Sequence, residues 1–147
     1  VNKVSIVICV RNSFPWLRVT LNALHNFHAG EGFKVIPVIH SSDQEALTYF
    51  KNSPHQPVVY NLDAGDEVAH GSQLELGMLH VDTEYTLWLD SDCFPVREWW
   101  LYELLAYDCD LVGAKANYDY PAASPLCCLF KTELYKEYLA RCPNRLN

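Results

Sequence analysis

The chain has 147 residues, half of them hydrophobic and 20% charged, with a formal net charge of −7. That length suits one domain with a real core, and that composition suits an ordinary soluble globular protein. The acidic balance argues against a general nucleic-acid binder, which needs Lys and Arg against phosphates, but it leaves room for a local pocket holding one diphosphate.

Val4 to Val10 is a β-branched run and predicts the first strand, ending at Arg11-Asn12-Ser13. Pro15 stands near the start of a following helix, where its missing N–H costs nothing. Leu17, Leu21, Leu24 and His28 recur at helical spacing, and Gly30 and Gly32 close the segment. Phe33 to Ile39 is the second strand, and Ser42 or Asp43 can cap a helix from Gln44 to about Lys51. Pro57 to Tyr60 is a short strand towards the sheet edge, given its prolines. Asn61 to Gly71 is a polar loop in which Asp63, Asp66 and Glu67 read as solvated acids. Leu74, Met78 and Val81 mark a helix face leading into the next strand.

That strand organises the rest. Tyr85 to Leu89 is an apolar run that reads as buried on both faces, and it ends in Asp90-Ser91-Asp92. Side chains two apart in an extended segment point the same way, so the two carboxylates repel unless a cation lies between them. A divalent metal with a phosphate suits such a pair, because hard cations take oxygen ligands. The plainer reading is a polar turn with both acids solvated. A helix from about Arg97 to Tyr107 follows, with Trp100, Leu101, Leu104 and Leu105 facing inward. Asp110 to Ala114 and Leu126 to Phe130 are strands, and Thr132 caps a last helix to Arg141. Strands alternating with helices of this length indicate βαβ units in a three-layer α/β sandwich with a mostly parallel sheet.

No apolar run can span a bilayer, and the chain opens directly in strand-like sequence, so neither a membrane span nor a signal peptide is expected. The six cysteines form no C-x-x-C pair and no His/Cys zinc spacing. Cys9, Cys127 and Cys128 read as buried thiols, while a Cys109–Cys142 bridge stays open on sequence alone. The reading is a reduced, cytoplasmic protein.

The order of these motifs resembles the nucleotide-binding half of family-two glycosyltransferases with the A-type fold. A strand ends in Arg-Asn, a second ends in Ser-Ser-Asp, and a helix containing Gly77 leads into a strand ending in D-x-D. Pro95 to Leu101 then follows as Pro-x-x-x-Trp-Trp-Leu. The resemblance covers roughly residues 3–130 and implies a nucleoside-diphosphate-sugar donor, UDP-sugar favoured, with Mn²⁺ or Mg²⁺. It implies that Val10, Arg11 and Asn12 lie at the nucleotide, with Arg11 stacking on the base. Asp43, or else His40, would contact base or ribose. Asp90 would contact ribose or a metal-bound water, and Asp92 the metal. The implied reaction is an inverting transfer to a glycan, lipid or protein acceptor.

This chain departs from the family pattern in three ways. Gln73-Leu74-Glu75 stands where the family carries Ala-Arg-Asn, and no His follows His80 to complete a metal site. The family's downstream catalytic acid has no clear counterpart, so the acceptor part of the single domain is expected to be short or missing. Asp119 is the weak candidate for a base. Two rivals remain. One is a non-catalytic nucleotide-sugar-binding module; the other is a phosphotransferase of the haloacid-dehalogenase kind, whose D-x-D ends the first strand rather than a mid-chain one.

Overall fold

Seven consecutive residues, Val4 to Val10, are all buried, and this strand, β1, runs through the middle of a six-stranded sheet. The computed structural model describes residues 2–10, 12–61, 70–115 and 123–141. The other strands are β2 (Phe33–His40), β3 (Val58–Tyr60), β4 (Tyr85–Asp90), β5 (Leu111–Lys115) and β6 (Ala123–Lys131). The helices are α1 (Phe14–Asn26), α2 (Gln44–Phe50), α3 (His70–Met78), α4 (Trp100–Leu105) and α5 (Thr132–Arg141). The sheet order is β3-β2-β1-β4-β6-β5. The first four of these pair in parallel, and β6 runs antiparallel to both β4 and β5. This is the expected three-layer arrangement with a mostly parallel sheet. The short strand β3 does lie at the edge, and it joins β2 only from Val38, one residue past Pro37.

Alternation along β1 divides the core. Val4, Ile6, Ile8 and Val10 pack with Leu17, Leu21 and Leu24 of α1, Phe50 of α2 and Leu101 of α4. Val7 and Cys9 face the other way, against Leu74 and Met78 of α3 and Phe130 of β6. The path from β1 through α1 to β2 and α2 runs outward on one face. The path through α3 returns on the other face to β4, on the far side of β1. The direction of winding therefore reverses between β1 and β4, and such a reversal opens a crevice at the C-terminal ends of the strands.

Two local expectations are corrected. His28 does not continue the α1 face, because the helix ends at Asn26 and Phe27 turns extended. Helix α4 begins at Trp100 rather than near Arg97. Trp99 adopts a left-handed φ of +62°, its N–H donates to the His28 carbonyl at 2.5 Å, and Tyr102 N–H donates to the Ala29 carbonyl at 3.0 Å. These long-range bonds hold the entry to α4 against the end of α1. Gly30 permits that approach, since a Cβ there would meet Trp99 and Tyr102 atoms at 2.7 Å, and its φ is +83°.

Among the described residues, Cys9, Cys93, Cys109, Cys127 and Cys128 are free thiols, while Cys142 lies outside them. Asp63, Asp66 and Glu67 also lie outside them. No helix of the described residues is long and apolar enough to cross a membrane.

Candidate functional site

Parallel register brings the predicted residues to one edge. Val10 pairs with Ile39, and Cys9 with Asp90, so the C-terminal ends of β2, β1 and β4 lie side by side. Neighbouring strands are about 4.8 Å apart, so the chain exits from all three fall within about 10 Å. Val10 is wholly buried, main chain included, so it shapes the floor of this edge and presents no exposed atom. Asn12 is exposed with a left-handed φ of +52°, a conformation that Asn tolerates. Arg11 and Asp119 lie outside the described residues.

Asp43 caps α2 through Oδ1, which accepts from Ala46 N–H at 3.1 Å, while its Oδ2 is buried and makes no hydrogen bond. His40 is committed to the same turn. Its Nδ1 accepts from Ser42 N–H at 3.1 Å and faces the Ser42 hydroxyl, and its ring meets Tyr60 edge-on at 5.1 Å. Among the described residues, that leaves Asp43 Oδ2 and His40 Nε2 without a hydrogen bond at this turn, the first buried and the second on a half-buried residue.

Asp90 closes β4. Its Oδ1 is buried and makes no hydrogen bond, although His70 Nε2 lies only 3.3 Å away. The two atoms are close enough to pair electrostatically but are not aligned for a hydrogen bond. Burial pushes the Asp90 carboxyl above its ordinary range; His70 pulls it down, and Asp92 pushes it up again. Asp92, two residues on, is exposed.

The residue between them is held fast. Thr20 Oγ1 donates to the Ser91 carbonyl at 2.7 Å, and Ser91 Oγ donates to Ser13 Oγ at 2.8 Å. Cys93 N–H donates to the Asp90 carbonyl at 3.0 Å and closes the turn. Ser13, Thr20 and His70 thus shape the site, and none of them stood out in the sequence. They are single polar residues without a periodic signal, and only the topology brings them to Asp90 and Ser91.

A test follows from the environment of Asp90. A carboxyl raised above its unfolded value binds a proton more readily in the folded chain, so its ionisation lowers stability as pH climbs above the unfolded pKa. Asp90→Asn is expected to raise the stability of the metal-free chain at pH 7, with the gain shrinking as pH falls towards about 4. Urea unfolding at several pH values reads this directly. A gain that is equal at all pH values would point to packing instead.

Beside Asp92 opens a cavity of about 940 Å³ between α4 and the β4–β6 part of the sheet. Leu87, Leu89, Phe94, Leu104 and Cys127 give it an apolar lining. Trp100 also lines it, buried to 9% exposure, with an indole N–H that has no hydrogen-bond partner. Trp99, the other half of the Trp pair, is exposed.

The donor set suits a hard divalent cation: Asp90 has an orphaned buried carboxylate oxygen and Asp92 an exposed carboxylate. Among the described residues, no three His, Cys, Asp or Glu side chains converge on one metal position. Magnesium-type sites manage with one or two carboxylates plus substrate phosphates, so the pair is sufficient for that kind of centre.

The family model described as glycosyl transferase family 2 matches residues 5–121. No curated protein matches the chain at a significant level. Among solved structures, S. aureus TarS 1–349 superposes with a TM-score of 0.65 at 20% identity, over 92% of this chain and 49% of that one. The mannosyltransferase PcManGT from Pyrobaculum calidifontis, in complex with GDP-Man and Mn²⁺, gives 0.69 at 15% identity, over 92% and 46%. The 4-diphosphocytidyl-2C-methyl-D-erythritol synthase from Anaerococcus prevotii gives 0.60 at 16% identity, over 95% and 76%. At these identities the likeness is one of fold. The chain spans about half the length of the two glycosyltransferase structures.

Proposed function

Since the chain belongs to glycosyl transferase family 2, we propose that it binds a nucleoside-diphosphate sugar at the C-terminal edge of its sheet and transfers the sugar, with inversion, to an acceptor. A UDP-sugar is the preferred donor and Mn²⁺ or Mg²⁺ the cofactor. The observation that carries this reading is Asp90-Ser91-Asp92 at the β1/β4 reversal, with one carboxylate oxygen of Asp90 buried and unbonded. One related structure holds UDP-GlcNAc and another GDP-Man with Mn²⁺, which supports a nucleotide sugar here.

Each residue has a part in that chemistry. Arg11 and Asn12 border the nucleobase, and Asp43, or else His40, contacts base or ribose. Asp90 and Asp92 hold the metal, which when bound neutralises charge developing on the leaving diphosphate. The apolar cavity beside Asp92 is the side from which a glycan, lipid or protein acceptor approaches. Asp119 remains the candidate base that takes the acceptor's proton. The free thiols fit a reducing compartment, in keeping with a cytoplasmic enzyme.

A second reading, a binding module without transfer, is favoured by one observation. Gln73 and Leu74, which stand in place of the family's Ala-Arg, are buried in the fold rather than presented to a ligand. Calorimetry tests the shared premise. UDP with Mn²⁺ should bind where ADP with Mn²⁺ does not, and equal or absent binding of every nucleotide would remove both readings. Turnover of a bound UDP-sugar then separates transferase from module.

A further inference from the structure

We propose that His70 is a third protein ligand of the divalent cation, and that its imidazole biases the site towards Mn²⁺ over Mg²⁺. The inference rests on the metal-dependent donor site proposed above and assigns a residue that no D-x-D motif includes. His70 is the first residue of α3, and α3 starts at the same sheet edge where β4 ends. Its Nε2 stands 3.3 Å from Asp90 Oδ1 without hydrogen-bond alignment, and Oδ1 is otherwise unpartnered and buried. In an octahedral site with bonds of about 2.1 Å, adjacent ligand atoms lie about 3.0 Å apart. A nitrogen and a carboxylate oxygen facing each other at nearly that spacing are arranged as two neighbouring ligands of one ion. Asp92, exposed and two residues on, completes the set once its side chain turns towards the pair.

The donor types then set the preference. Two carboxylates alone suit Mg²⁺ and Mn²⁺ alike. An imidazole nitrogen is a softer donor that first-row transition metals accept, whereas Mg²⁺ holds to oxygen and gives up water reluctantly. In the metal-free chain, His70 also lowers the electrostatic cost of Asp90, in line with its downward pull on that carboxyl.

The experiment uses the whole chain with MnCl₂ or MgCl₂ and either UDP or GDP. Free Mn²⁺ is read by electron paramagnetic resonance, and Mg²⁺ binding by calorimetry. His70→Ala, an exposed position whose fold is checked by circular dichroism, should weaken Mn²⁺ binding at least about tenfold and Mg²⁺ binding by less than about threefold. Pulsed resonance on the wild type should show nitrogen coupled to bound Mn²⁺, and the variant should lose that coupling. Wild-type Mn²⁺ binding without nitrogen coupling, or unchanged in His70→Ala, would overturn the ligand role and leave the donor site standing. A wild type that binds no Mn²⁺ with either nucleotide would overturn both.

Discussion

Asp92→Asn should weaken metal-dependent UDP binding at least about tenfold, or about 1.4 kcal/mol, with the fold intact. The substitution keeps shape and hydrogen-bonding capacity and removes one negative charge from the cation site. Asp92 is exposed, and no hydrogen bond within the described residues depends on it, so the core has little to lose. Asp90→Asn differs in kind, because Asp90 is half-buried beside His70 and its replacement also alters that pair. The decisive comparison is UDP affinity with Mn²⁺ against UDP affinity with chelator, in wild type and in Asp92→Asn. A mutant that keeps the full metal dependence would take Asp92 out of the site.

The largest effect on stability is expected at Gly77. Helix α3 lies so close to the sheet that a Cβ on Gly77 would stand 2.3 Å from Val7 Cγ1 and 3.0 Å from Val38 Cγ2. Both valines are wholly buried and, being β-branched, have few rotamers to retreat into. Gly77→Ala therefore forces helix and sheet apart. Overpacking of this kind costs up to about 3 kcal/mol, against a gain of about 1 kcal/mol in helix propensity, so a net loss of about 2 kcal/mol is expected. Gly71, on the same helix, has nothing within 4 Å of its would-be Cβ, and Gly71→Ala should be neutral or stabilising. Urea midpoints at constant m-value measure both. Equal midpoints for the two variants would mean that α3 can shift without cost.

The strands of the parallel core were legible because burial on both faces demands unbroken apolar runs. Val4 to Val10 and Tyr85 to Leu89 admit no other reading as easily; the structure buries all of the first, and Thr86, Leu87 and Leu89 of the second, with Tyr85 and Trp88 half-buried. Asp43 as a cap was legible for a similar reason: the signal is local, one carboxylate three residues before the N–H it binds. The start of α4 was not, since Trp99 takes its left-handed turn from bonds to His28, 71 residues earlier in the chain. His70 was passed over because a lone His after a polar loop looks like any surface histidine. Its value comes from Asp90, 20 residues on, through the β1/β4 reversal. The place of β6 between β4 and β5 likewise depends on pairings that no stretch of sequence encodes alone.

Ser91 is held by two bonds, one from Thr20 of α1 and one to Ser13 just before that helix, and these decide how the acids beside it are offered. A turn that carries two neighbouring carboxylates would, left free, sample many shapes and lose that freedom on binding. Here the loss is settled during folding, when Thr20 and Ser13 grip the turn, so association meets a backbone already in place and the entropic cost of capture is smaller. The same arrangement links distant parts of the molecule. A change that loosens α1 from β1, even at Leu17 or Leu21 deep in the core, is expected to loosen the turn and, with it, the proposed donor binding, without touching a carboxylate.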